Sequence, residues 1–396
     1  MIAEDTSYRG FACPQVPMDE PFAELVVVEH ARQMIQKFIE GYASQLQRHS
    51  EGLMPLLAGG LRRDETFETT WNLAFGEVRA ALLLKKPEDA ERCAVALALR
   101  LNQRGYLGDW ELHLHNPARF RFDQWLLPLS DAIRVSTTPE VVSIHTRTAN
   151  LWQKLTFQRN GNGWEATDAQ GLPMLSRGAI RWIVLTAESL PGVAERLVEN
   201  ELYNYKNMSL DTDVELLVHI SDAAVSLLAE FADIYLEWVS RVVRFLIPLP
   251  VKGGMLNSGS DELCPGVICV SNQKHRINLA EILVHEATHQ YFHILQRLGP
   301  LHDGTDRNLY FSPVRGTGRP ISAILIAYHA FGNVLLFYRM ARARALPADQ
   351  DGLDIAQRMK QLEQQLETLE KALQTTTALT PLGRALWEPL YERIHD

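Results

Sequence analysis

The residues best suited to chemistry are concentrated in one pentapeptide, His285-Glu286-Ala287-Thr288-His289, within the apolar stretch LAEILVHEATHQYFHIL. In a helix, residues four positions apart lie on one face, so both imidazoles can reach a single metal ion. Glu286 follows the first histidine by about a third of a turn and can meet a metal-bound water. We therefore predict His285 and His289 as metal ligands and Glu286 as a catalytic residue.

A metal site of this kind needs a third protein ligand. His293 continues the ladder of histidines, but eight residues of helix rise ~12 Å, too far for His285 and His293 to share one ion. Phe292 and Leu295 stand where the longer HExxHxxGxxH pattern requires glycine and histidine, which excludes that class of metal site.

The next apolar helix offers one candidate for the third ligand. Residues 319–345 contain no aspartate or glutamate, and His329 lies within AILIAYHAFGNVLLF. An ionisable group in such surroundings needs a partner, which a metal ion would supply. The alternative is a buried neutral histidine with an ordinary hydrogen bond. His302, Asp303 and Asp306, in the preceding loop, are the competing ligands.

The surrounding pattern predicts an α+β fold that is predominantly helical. Helix-period segments fill much of residues 1–135, an N-terminal helical region. Alternating residues and an Asn-Gly-Asn-Gly turn indicate a small β-containing region at 136–208. Residues 209–396 are expected to form a catalytic region with C-terminal helices, in which a zincin-like HExxH helix packs on a second, ligand-bearing helix.

Composition limits the partners. The 396 residues carry a net charge of −9 with no long basic block, which argues against nucleic acid. The first residues show no secretory signal, and the apolar run 321–338 contains Ser322, His329 and Asn333, so we expect neither export nor a membrane span. Four scattered cysteines without a CxxC pair indicate reduced thiols in a cytoplasmic protein. The oligomeric state stays open.

Three segments in order resemble the HExxH peptide-modification proteins associated with ribosomal peptide natural products. They are GSDELCPGVICVS (259–271), AEILVHEATH (280–289) and FSPVRGTGRPISAILIAYHAFGNVLLFYR (311–339). The chain departs from that family at Val314, where tryptophan is usual, and at His329, where tyrosine is common. The resemblance covers about a fifth of the chain.

The resemblance implies β-hydroxylation of a peptide residue with Fe(II) and 2-oxoglutarate, the peptide being free or bound to a carrier or leader. The distal carboxylate of 2-oxoglutarate needs a cation, and arginine binds carboxylate bidentately. Arg319, ahead of Arg315, is expected to bind the cosubstrate, with Ser312 in the same loop. The strand containing Val267, Cys269 and Ser271 is expected to receive the peptide by β-augmentation.

Two other functions remain open at this stage. A Zn(II)-dependent metallopeptidase of the gluzincin kind would use Glu286 as general base, although the downstream glutamate ligand of such enzymes is missing. A non-catalytic module could keep the fold and bind a peptide or carrier protein.

Overall fold

The computed structural model of the protein describes most of the chain. The described residues are 8–15, 22–63, 78, 81–83, 87–161, 163–167, 176–177, 183–184, 214–249, 258–260, 262, 265–271, 275–347, 349–350 and 353–396.

Helices make up most of the regular structure, so the predicted mixed, predominantly helical class is confirmed. The helices described are α1 (Arg9–Ala12), α2 (Phe22–His49), α3 (Leu53–Arg63), α4 (Pro87–Gln103), α5 (Val214–Phe231), α6 (Asp233–Val242), α7 (Arg276–Leu295), α8 (Ile321–Ala343), α9 (Ile355–Thr375) and α10 (Pro381–His395).

The described strands form two larger sheets and three small hairpins. They are β1 (Ser50–Glu51), β2 (Trp110–Ala118), β3 (Arg121–Phe122), β4 (Trp125–Leu126), β5 (Ser130–Thr137), β6 (Val141–Thr148), β7 (Leu151–Asn160), β8 (Gly163–Ala166), β9 (Ser176–Arg177), β10 (Ile183–Val184), β11 (Phe245–Leu249), β12 (Ser258–Ser260), β13 (Val267–Ser271), β14 (Tyr310–Ser312), β15 (Thr317–Arg319), β16 (Asp349–Gln350) and β17 (Leu353–Asp354).

The first sheet is antiparallel, in the order β1-β2-β5-β6-β7-β8. Strand β6 alternates buried and partly exposed residues, because one face packs on a core and the other faces outward. The predicted boundary between residues 135 and 136 falls inside β5. The β-rich part therefore begins earlier than the sequence suggested, because the strand patterns of β2 and β5 are weak beside the strong helical patterns that precede them.

The second sheet has the order β12-β13-β11-β10-β9 and supports the HExxH helix. β11 runs parallel to β13, whereas β12 runs antiparallel to it. Every residue of β11 and β13 is buried, which explains their continuous apolar sequences FLIPL and VICVS.

The described residues form two hydrophobic cores, and α2 contributes to both. Ile35 and Phe38 of α2 belong to the core beneath the first sheet, whereas Val27 belongs to the core around α7 and α8. Phe11 and Ala12 of α1 also belong to the α7–α8 core. The N-terminal segment is therefore part of the C-terminal core, which residue order could not reveal.

Helix α8 has the length and apolar composition of a membrane span, yet 72% of its most apolar window is buried inside the protein. It packs against α7, α9 and α10. This burial is typical of a helix in a protein core.

Candidate metal centre

Helix α7 carries the pentapeptide into the middle of the second core. It packs against α5, α6 and α8, which explains why its sequence is apolar on several faces. The buried Gln290 fastens it to the sheet: its Oε1 accepts the Gly266 N–H at 2.9 Å and its Nε2 donates to the Val267 carbonyl at 3.4 Å. The pentapeptide is therefore held on rigid elements.

His285, Glu286 and His289 place their ligand atoms within 4.8 Å of one another. The Nε2 atoms of the two histidines lie 3.1 Å apart. Two nitrogens bound to one ion at about 2.1 Å, with angles between octahedral and tetrahedral values, would be separated by roughly 3.0–3.4 Å. The observed separation fits a shared metal ion.

The electrostatics of the two rings also suit metal binding. Burial lowers the pKa of His285 to about 4 and that of His289 to about 3, and neighbouring histidines add to both shifts. Both imidazoles are therefore neutral at neutral pH, the form that offers a lone pair to a metal. Both side chains keep part of their surface accessible, so an ion and its other ligands can approach.

Two serine hydroxyls hold the carboxylate of Glu286. Ser258 Oγ donates to Oε1 at 2.8 Å, and Ser260 Oγ donates to Oε2 at 3.0 Å. Glu286 is only 2% exposed, and burial raises its pKa while His285 and, to a smaller extent, the two serines oppose that shift. The carboxylate is thus fixed beside the histidine pair by donors that carry no charge.

Positive charge is in short supply around Glu286. Among the described residues, no lysine or arginine forms an ion pair with it, and the adjacent histidines are neutral. A buried carboxylate without a counter-charge is costly unless it is protonated or faces a cation. A metal ion on His285 and His289 would supply that charge, so the residues present fit a metal.

His329 lies outside the three-residue group that the structure brings together. It is 1% exposed, and its Nε2 donates to the carbonyl oxygens of Phe11 and Ala12, each at 3.0 Å. Because carbonyls only accept, the proton is on Nε2, and Nδ1 keeps a buried lone pair with no partner among the described residues. Its assignment as third metal ligand stays a prediction, and the predicted alternative of a hydrogen-bonded core histidine matches these contacts.

The competing ligands are not part of the group either. Neighbouring hydroxyl and amide groups occupy the carboxylates of Asp303 and Asp306, and these hydrogen bonds lower the pKa of both. His293 interacts with the Gln296 side chain at 3.2 Å and lies outside the group, as the helix rise predicted.

The predicted cosubstrate residues lie on the hairpin β14–β15, which leads directly into α8. Arg315 is exposed, Arg319 is partly buried, and Ser312 is buried at 1%. The Ser312 carbonyl accepts the N–H groups of Arg315 and Gly316, closing the turn. Their cosubstrate role stays a prediction.

The prediction that β13 receives the peptide is wrong. Val267, Cys269 and Ser271 belong to β13, which pairs with β12 on one side and β11 on the other. Both edges of β13 are occupied, so no peptide strand can be added to it. The run VICVS, apolar up to its last residue, reflects this central position.

Sequence reasoning missed the serines that hold Glu286. Their spacing carried a signal, since in a strand residues two apart point to the same face, as Ser258 and Ser260 do. The contact of His329 with Phe11 and Ala12 carried none, because more than three hundred residues separate them.

Neither a protein-family model nor a curated protein matches this chain at a significant level. The resemblance to the HExxH peptide-modification proteins therefore stays a prediction.

Proposed function

We propose that the protein is an Fe(II)- and 2-oxoglutarate-dependent oxygenase that β-hydroxylates a residue of a ribosomally made peptide in the cytoplasm. The observation that carries the proposal is the group His285–Glu286–His289, with two facing Nε2 atoms and a buried carboxylate that lacks a described cation. The group supports a metal centre, and the sequence resemblance selects the chemistry.

In this proposal, His285 and His289 hold the iron in a zincin-like arrangement, with His329 as the candidate third ligand. Iron held there would supply the oxidation, in which one atom of dioxygen would enter a peptide C–H bond and the other would go to succinate as 2-oxoglutarate loses carbon dioxide. Arg319 binds the distal carboxylate of 2-oxoglutarate, for which its partly buried position suits it better than the exposed Arg315.

The carboxylates around α7 count against a peptidase of the gluzincin kind. Glu281, the other acid on the same helix, is engaged by Arg358 and Tyr338, and α8 contains no acid. The described neighbours therefore offer no carboxylate of the kind that completes a gluzincin site. Glu286, held at both oxygens by Ser258 and Ser260, lies within 4.8 Å of the two ligand nitrogens and balances the charge of the ion.

A zinc metallopeptidase is the second candidate, and one observation favours it. Burial raises the pKa of Glu286 beside the ligand pair, and a raised carboxylate pKa suits a general base that takes a proton from water. In that function Glu286 would be indispensable to turnover, whereas in the oxygenase it is a positioning residue.

Anaerobic spectroscopy separates these functions without a known peptide. The protein loaded with Fe(II) should develop a visible charge-transfer absorption when 2-oxoglutarate is added, and Arg319→Ala should weaken its binding at least tenfold. Aerobic incubation should then release succinate, and a peptide substrate should gain one oxygen atom. No 2-oxoglutarate binding by the iron-loaded protein, together with peptide cleavage by the zinc form, would establish the peptidase instead.

A further inference from the structure

The hairpin β14–β15 exposes an unusual concentration of large apolar side chains. Leu309 is 70% exposed, Phe311 58% and Val314 42%, all within six residues. Leu309 and Phe311 are two positions apart and share one face, while Tyr310 and Ser312 point inward. We call Leu309, Phe311 and Val314, together with Arg307 and Arg315, the hairpin surface.

The charge of the hairpin surface is wholly positive. Arg307 and Arg315 are exposed, and neither guanidinium forms an ion pair with a described carboxylate. The chain contains no acidic residue between Asp306 and Asp349, although its net charge is −9. Apolar groups flanked by unpaired arginines on an acidic protein are complementary to an apolar partner that carries acidic side chains.

The hairpin surface is held in place from below. The Tyr310 hydroxyl donates to Asp306 at 2.8 Å, and the hydroxyl of Thr376, just after α9, donates to the same oxygen at 2.7 Å. The register places Phe311 opposite Gly318, so no side chain on β15 covers the phenyl ring from the paired position. The apolar groups are thus presented by a fixed scaffold.

Another exposed aromatic side chain is covered by neighbouring residues of the chain. Trp152, on β7, is covered by the guanidinium groups of Arg134 and Arg147, 5.0 and 5.8 Å from its ring centroid. Each of those arginines also pairs with a carboxylate. Trp152 is therefore satisfied within the chain, whereas the described residues give the hairpin surface no such cover.

We propose that the hairpin surface docks an acidic, apolar peptide segment and delivers it to the metal centre. Because β15 runs directly into α8, whose Phe331 ring lies 5.3 Å from the His285 ring, a docked peptide is joined to the site through one rigid helix. That this peptide is the substrate rests on the proposed function; the docking itself does not.

The peptide fits better than a second copy or a lipid surface. Two copies meeting through this surface would bring arginines against arginines. A membrane would require the surface to face an open plane, whereas its three apolar groups lie on a short two-stranded hairpin whose edges offer main-chain groups to an extended peptide.

Fluorescence anisotropy with the metal-free protein tests docking directly. The probes are three short labelled peptides in which the same leucine and phenylalanine residues alternate with Glu, Gln or Lys. We expect the Glu peptide to bind at least tenfold more tightly than the Lys peptide, with affinity falling as salt rises. Leu309→Ser/Phe311→Ser should lose about tenfold of Glu-peptide affinity, and Arg307→Glu/Arg315→Glu should reverse the preference toward the Lys peptide.

Matched variants elsewhere control for general stickiness and charge. Leu298 is 41% exposed on another surface, and Lys360 is exposed on α9, so Leu298→Ser and Lys360→Glu should bind the Glu peptide as the wild type does. Equal binding of the three peptides, or unchanged binding by the charge-reversed variant, would overturn the proposal. Loss of a wild-type dimer in Phe311→Ser, or binding to anionic vesicles but not peptides, would assign the surface to those partners instead.

Because the probes are measured without iron and 2-oxoglutarate, failure of the oxygenase assay leaves this result unaffected. Conversely, normal 2-oxoglutarate binding by Leu309→Ser/Phe311→Ser would show that a docking defect is separate from the metal centre.

Discussion

Helix α7 carries two glutamates, five positions apart, whose electrostatic surroundings are opposite. Glu281 receives the Tyr338 hydroxyl at 2.6 Å and the guanidinium of Arg358 on α9. Glu286 receives only the hydroxyls of Ser258 and Ser260, beside two neutral imidazoles. The first carboxylate has its cation within the chain, and the second does not.

This difference separates a structural acid from a functional one. The Glu281–Arg358 pair joins α7 to α9, and Tyr338 ties the same carboxylate to α8. Each group there satisfies another, so nothing is left over for a ligand. Around Glu286, the negative charge and two nitrogen lone pairs converge without a described cation, which is the arrangement that a metal ion completes.

The largest expected effect is the pH dependence of stability, which should come from the histidines beside Glu286. The folded pKa values of His285 and His289, about 4 and about 3, lie below the ordinary value near 6.5. The unfolded chain therefore binds protons first as pH falls, and these two histidines should cost the metal-free protein about 4 kcal/mol of unfolding free energy between pH 7 and pH 5. The raised pKa of Glu286 works in the opposite direction and offsets part of this loss.

Urea denaturation of the metal-free protein at several pH values measures this slope. His285→Gln/His289→Gln should reduce it by more than half, and the remainder comes from the buried His329, whose pKa is also lowered to about 4. His293→Gln should leave the slope unchanged. An equal slope in the double variant would mean that these two rings do not carry the pH dependence.

Substituting each of the two glutamates in turn tests the comparison between them directly. Glu281→Gln leaves Arg358 without its counter-charge and should cost about 2 kcal/mol of stability, while iron affinity changes less than about twofold. Glu286→Gln should do the reverse, sparing the stability of the metal-free protein at neutral pH and weakening iron binding by about 10- to 100-fold. Denaturation and anaerobic iron titration of both variants check this, and the same loss in both quantities for both variants would contradict it.

The smallest effect concerns the serines. Ser258→Ala/Ser260→Ala removes the donors that fix Glu286 and should weaken iron binding about tenfold. The control is Ser226→Ala, since Ser226 bonds only a backbone carbonyl on the exposed side of α5. If the double variant binds iron as tightly as the control, the serines do not position the carboxylate.

Local pattern predicted the centre of the site but not its surroundings. The i, i+4 spacing of His285 and His289 predicted that they would meet, because helix geometry decides it. Burial of His329 followed from its apolar neighbours, yet its partners on α1 depend on the packing of distant segments. The position of β13 was misjudged because pairing on both edges is a property of the sheet, although its buried sequence was a warning.

Anaerobic titration of the purified chain with Fe(II) tests the central claim, that His285, Glu286 and His289 form a metal centre, most directly. The account predicts one ion per chain, binding weakened more than about 100-fold in His285→Ala and in His289→Ala, and unchanged binding in His293→Ala. Iron binding that survives in the first two variants, or no binding by the wild type, would contradict it.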